Sequence, residues 1–291
     1  MLIANPIYDT VFKRLMENER VARFFISTLT GDNIEEVRVQ PQEFTYVDQA
    51  DVLTVFRLDF VATVRTDDGE RKKVLIEIQK ARNIVDLMRF RNYLAEQYRK
   101  EEAIDDDPTA LPITTIYILG FNLPEIDSPC VRVARQYVNL IDQSVMETKS
   151  DFIEKLTHDS YLVQVERITD RYQTSLDKLL SVFEQRNFID EARIIKEYAH
   201  EADVEEVRLI TDILHHTGTS PEERREIEKE REAWRTVQAM MGRKEREYLK
   251  QLAEKEKELR QKNEALEEKN EALKVQERLI EELKKKLDEK D

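Results

Sequence analysis

Asp59, Glu77 and Gln79 are the residues whose types and spacing offer chemistry, and the chemistry is that of a divalent-metal site. Two strand-like runs, 54–65 and 72–79, are rich in β-branched and aromatic residues and flank Asp67-Asp68-Gly69, a pattern that predicts a β-hairpin. Strand side chains alternate between faces, so Leu75, Glu77 and Gln79 share one face while Val74, Ile76 and Ile78 take the other. A three-residue loop closed by a left-handed Gly69 sets Thr66 opposite Glu70. Counting back along both strands in that register places Asp59 opposite Glu77. Two adjacent carboxylates repel unless a cation lies between them, and hard oxygen donors suit Mg²⁺ or Mn²⁺. A slip of one residue would turn the two carboxylates to opposite faces. Taken alone, the pair also fits two solvated residues on the open face of a hairpin.

The flanking chain adds Asp9, Phe12 and Lys13 on an N-terminal helix, and Arg89 and Tyr93 four apart on a helix after the hairpin. In this order the set resembles the PD-(D/E)XK nuclease superfamily, and within it the recombination-promoting nucleases, also described as PD-(D/E)XK nuclease family transposases. The resemblance covers roughly the first half of the chain, about one domain. It implies a restriction-endonuclease-like α/β core of order α-β-β-β-α-β with a mixed sheet. It further implies a Mg²⁺- or Mn²⁺-dependent endonuclease acting on DNA phosphodiesters. Asp59, Glu77 and the backbone carbonyl of Ile78 would hold the metal, Gln79 would position water, and Asp9 would be an auxiliary acid. Lys13, Arg89, Arg91 and Tyr93 would serve the substrate, since an arginine fork suits phosphate oxygens. The wider superfamily has Lys where this chain has Gln79, whose neutral amide cannot stabilise developing negative charge in the same way. The narrower family resembles this chain in having Gln there. Two other readings stand beside this one: a nuclease-fold module that binds nucleic acid without cleaving it, and a coiled-coil interaction protein.

The elements that must position these residues follow from periodicity. Apolar residues at helical spacing over 8–29, ended by Gly31, predict one helix, and 41–48 reads as a short strand. A second helix is expected over 84–100, broken by Asp105-Asp-Asp-Pro108. Residues 112–120 read as a buried strand parallel to the second hairpin strand. From 149 to 242 the chain reads as a helical region, with Leu176, Leu179, Leu180 and Phe183 as one apolar stripe and Asp203 as a cap. His215-His216 lack a third ligand at zinc spacing and read as a helix-end pair. The expected division is a nuclease-like domain over 1–148, the helical region over 149–242 and a long charged helix over 243–291.

The 291 residues carry a formal charge of −14, which argues against nucleic-acid binding through bulk positive charge. A local patch remains available, with Arg71, Lys72, Lys73, Lys80, Arg82, Arg89, Arg91, Arg99 and Lys100 around the motif. The single cysteine, Cys130, forbids an intrachain disulfide. With no long apolar run after the first residues and no segment of roughly 20 apolar residues, the expectation is a cytoplasmic protein without membrane contact. In the last fifty or so residues Leu252, Leu259, Leu266, Leu273, Ile280 and Leu287 recur every seventh position. That spacing predicts a coiled-coil seam. At the intervening positions Asn263 and Asn270 favour a defined register and a dimer, whereas the charged Glu256, Glu277 and Lys284 weaken the seam, so it fits a weak homodimer or a different partner helix, beside the alternative of a solitary charged helix.

Overall fold

The computed structural model describes residues 1–40, 44–47, 53–56, 60–80, 84–100, 102–104, 107–236 and 239. Asp59, Arg82 and the heptad leucines lie outside them. The chain divides into two compact units, Met1–Glu230 and Arg231–Asp291.

The first unit opens with β1 (Leu2–Ala4), α1 (Asp9–Met16) and α2 (Glu19–Thr30). The single helix expected over 8–29 is two. Asn18 accepts from the N–H groups of Arg20 and Val21 and starts a new helix, as a short polar side chain does at an N-cap. Gly31, at φ 78°, closes that helix as expected.

β2 (Ile34–Val39) follows, then β3 (Phe44–Val47), β4 (Leu53–Phe56), β5 (Phe60–Thr66) and β6 (Arg71–Gln79). The expected strand over 41–48 exists as β3, but it pairs with β4 in a separate two-stranded ribbon, and the place beside β5 belongs to β2. Likewise the run 54–65 contributes to two strands rather than one. The turn is as read from the sequence: Thr66 N–H donates to Glu70 O at 2.9 Å, and Gly69 sits at φ 87°. Phe60 accordingly pairs with Ile76 and Val61 with Leu75.

α3 (Ile84–Arg99) is the crossover, β7 (Glu102–Ile104) and β8 (Asp107–Thr109) form a small ribbon, and β9 (Ile113–Leu119) runs parallel to β6. Then come β10 (Cys130–Val133), β11 (Tyr137–Val138), β12 (Val145–Met146), α4 (Asp151–Leu156), β13 (His158–Gln164), α5 (Ser175–Ser181), β14 (Ile195–Glu197) and α6 (Glu205–Thr219). Residues 221–230 are again helical.

The chain is thus α/β, with a mixed six-stranded sheet in the order β10-β13-β9-β6-β5-β2. The expectation of a helical region from 149 needs correction, because β13 lies inside this sheet, parallel to β9. The boundary expected at 148 therefore falls within the first unit. Asp203 does not cap α6, whose N-cap is Val204; it accepts from Lys178 Nζ at 2.6 Å. His215 Nδ1 lies 2.6 Å from Leu2 O, which fits the helix-end reading.

Two apolar clusters sandwich the sheet. On one face Phe60, Ala62, Val74, Ile76, Ile78 and Ile116 pack with residues of α1, α2, α5 and α6. There Phe12, Phe25 and Phe183 stack edge-on or tilted at 5.7 to 6.5 Å between ring centres. On the other face Val61, Leu75 and Ile113 meet Phe90 and Tyr93 of α3. The expected alternation along β6 is realised, with its two faces entering two different cores.

Candidate functional site

β6 lies between β5 and β9, so its side chains project from the middle of the sheet. Lys73, Leu75, Glu77 and Gln79 alternate onto the α3 side. Glu77 is 0% exposed and Gln79 is 8% exposed. A carboxylate buried so completely is costly in an apolar setting unless partners or a cation compensate it. Its neighbour in the parallel register is Tyr117, whose ring centre is 4.6 Å from that of Phe90 on α3. Burial pushes the Tyr117 hydroxyl up to about 12, and the charge of Glu77 adds to the effect. Gln79 Nε2 is buried with no hydrogen-bond partner among the described residues. A donor in that position is suited to a water or a ligand oxygen.

Asp9 is brought to the end of the same strand, but to Lys80 rather than to Glu77: Asp9 Oδ1 lies 3.2 Å from Lys80 Nζ. Lys80 is also paired with Glu230 and sits over the Tyr8 ring at 5.0 Å. Burial alone would lower the Lys80 ammonium, but Asp9 and Glu230 outweigh it and hold the group above its ordinary value. The backbone after β9 approaches this point closely, with Gly120 N–H donating to Gln79 O at 2.8 Å. A Cβ at Gly120 would stand 3.3 Å from Lys80 Cα, so the residue there must be small.

The remaining expected residues are placed unequally. Lys13 lines a groove with Asp9 and Glu230. Tyr93 is buried against Val61 and Leu75. Arg91 is exposed on α3. Arg89 belongs to α3, with its side chain outside the described part, and Asp59 is outside it altogether. Of the basic residues considered for a surface patch, Lys73 is a correction: it is 2% exposed and faces the core beneath α3. Lys72 bonds Asp32 at 2.5 Å and Arg99 bonds Glu96 at 2.8 Å. Among the described residues no group of three or more His, Cys, Asp or Glu side chains is arranged to hold a metal. The donors available there for a hard cation are the Glu77 carboxylate and backbone oxygens, which fit such an ion only if a further carboxylate joins them.

No family model, curated protein or solved structure matches the chain. The site therefore stands on its own geometry. Tyr117 and Glu230 were not foreseen. Tyr117 was legible in principle, because alternation along 113–119 and a parallel register set it beside Glu77. Glu230 reaches Asp9 and Thr10 across more than 200 residues, and no local pattern announces that. No described helix is long and apolar enough to cross a membrane.

Proposed function

We propose that the protein is a metal-dependent endonuclease that hydrolyses DNA phosphodiester bonds, with a restriction-endonuclease-like core and a role in transposition or recombination. The observation that carries this reading is the burial of Glu77 at the centre of the sheet, on the face of Gln79, in the hairpin register that the sequence required. Asp59, Glu77 and the Ile78 carbonyl would hold Mg²⁺ or Mn²⁺, which supplies an activated water and neutralises charge on the phosphate oxygens. Gln79 donates its amide N–H to water or to a phosphate oxygen. Asp9 acts through Lys80, keeping that ammonium charged beside the strand end. Lys13, Arg89 and Arg91 contact the phosphate backbone, and Tyr93, four residues after Arg89 on α3, packs beneath Arg89. In the same reading the cytoplasm is the compartment, and the heptads of 243–291 form a coiled coil.

Cleavage of single-stranded, double-stranded and supercoiled DNA in Mg²⁺ is the direct test. Glu77→Gln and Asp59→Ala should each lower the rate at least about a hundredfold. Metal at a hundred times its Kd should stabilise the parent by about 2.7 kcal/mol and the variants by less. Equal cleavage by parent and Glu77→Gln defeats the assignment. The neutral Gln79 favours a second reading, a module that binds DNA without cutting it; DNA binding with no cleavage in any metal would select it.

A further inference from the structure

Large apolar side chains left in solvent are concentrated in one stretch of this chain. Among the described residues, nine of the sixteen such side chains fall between Val133 and Leu156. Single exposed apolar residues are ordinary, whereas a run this dense marks a face that another surface covers. Leu140 is 83% and Ile141 95% exposed at the tip of the β11–β12 hairpin, and Phe152 is 71% exposed on α4; Val145, Met146 and Leu156 are exposed as well. α4 has six residues and none of them is buried, and a helix that short is not stable in water by itself.

The apolar tip is built, not loose. Asn139 N–H donates to Ser144 O and Gln143 N–H to Asn139 O, each at 2.8 Å. Asn139 Oδ1 accepts from Ile141 N–H and Asp142 Oδ1 from Ser144 N–H, each at 3.0 Å. The polar side chains of the turn thus serve its own backbone and leave Leu140 and Ile141 outward. At the base, Arg135 donates to Asp159 at 3.0 Å, to the Thr157 carbonyl at 3.1 Å and to the Glu154 carboxylate at 2.7 Å. Tyr137 Oη donates to the same carboxylate at 2.7 Å. Hairpin and α4 are therefore held together against β13, and a surface ordered in advance loses little freedom on binding.

Charge and area select the occupant. The chain carries −14, but residues 133–156 hold three basic and four acidic residues, a net charge of −1. Arg135 with Glu154 and Lys155 with Asp151 close their ion pairs internally. The face has no excess of cations for an anionic lipid surface and little free charge with which to recognise a charged partner. Two chains of charge −14 repel each other, and they approach at least cost where the surface is near neutral. At roughly 100 Å² for each exposed apolar side chain, the nine amount to about 900 Å² per copy, close to the ~800 Å² per partner of a standard interface. An apolar, charge-poor face is also the composition of contacts between like subunits. The neighbouring sheet edge is blunted, β10 being four residues long with its Cys130 carbonyl taken by Ser128 Oγ at 2.7 Å, so side chains rather than strand pairing make the contact.

We propose that the β11–β12 hairpin and α4 form an isologous contact with the same face of a second copy of this chain, centred on Leu140, Ile141, Phe152 and Leu156. The contact belongs to the first unit, is separate from the heptad of 243–291, and does not depend on the nuclease reading.

The test compares the whole parent chain with Ile141→Asp/Phe152→Asp. Both side chains are exposed, so the variant should melt with the parent; Leu140→Ser/Ile141→Ser, confined to the hairpin tip, repeats the measurement with no added charge. Hydrogen–deuterium exchange of peptides from 137–156 is followed at about 1 and about 100 µM protein, alongside sedimentation over the same range. In the parent these peptides should become protected as concentration rises. In Ile141→Asp/Phe152→Asp, which would bury unpartnered charge, this association should weaken at least about a hundredfold while any association through the heptad persists. Exchange independent of concentration in the parent, or the same concentration dependence in parent and variants, overturns the proposal. Binding of the parent to phosphatidylcholine vesicles, lost in the variants, assigns the face to a lipid surface and overturns it equally.

Discussion

Lys80 and Lys196 are two buried lysines with opposite electrostatic settings. Lys80 faces two carboxylates and stays charged. Lys196, on β14, is buried and donates to the backbone carbonyl of Glu184 at 2.5 Å, and burial pushes its ammonium down from 10.5 to about 7. Between those two values the unfolded chain holds a proton that the folded chain has released. Stability must then rise with pH through this window, by up to about 1.4 kcal/mol per pH unit. Lys196→Met, which keeps the stem and removes the charge, should flatten that rise and stabilise the protein most at and below pH 7. Urea unfolding of both proteins from pH 6 to 10 measures it; parallel curves would mean that water or a moving side chain solvates Lys196 in the folded state.

At the level of elements, α6 lies against β1 at one small residue. A Cβ on Gly218 would stand 3.0 Å from Ala4 N and 3.1 Å from Ile195 Cδ1. The side chain of Ile195 can turn aside, whereas the paired backbone of β1 cannot. Gly218→Ala gains about 1 kcal/mol of helix propensity and costs about 1–3 kcal/mol of overpacking. The expected net is a destabilisation of about 1 kcal/mol, seen as a lower melting temperature. What the sequence disclosed follows the same division between local and distant causes. Gly69 and the alternation of 71–79 specified turn, register and faces, because a hairpin is closed by its own neighbours. β13 escaped notice, since His158, Asp159 and Ser160 are polar and only pairing with β9 and β10 makes a strand of them. β2 was missed for a related reason: Glu35, Glu36 and Arg38 face outward and obscure the apolar positions Ile34 and Val37. Glu77 lies buried on the same face of β6 as Leu75 and Gln79, the face that alternation along 71–79 assigns to it.

The whole chain has a first unit that ends at Glu230 and a charged C-terminal portion carrying the heptad. A chain ending at Gly242 keeps the whole first unit and both of its cores. It should melt with the parent and retain any cleavage of short DNA, while losing the self-association or partner contact of the heptad. Sedimentation of both chains over a concentration series decides this, and identical behaviour would leave the heptad without an assembly role. One pairing has a consequence in time. β1 closes a ribbon with β14, Leu2 against Glu197 and Ala4 against Ile195. At translation rates of about 5–20 residues per second, roughly ten to forty seconds separate the appearance of the two strands. During that interval the nascent segment Leu2–Ala4 has no native strand to meet, and the Gly218 contact that seats it arrives later still. Ribosome-bound chains stopped before β14 should therefore expose this segment to a protease or a chaperone, and chains stopped well beyond α6 should protect it.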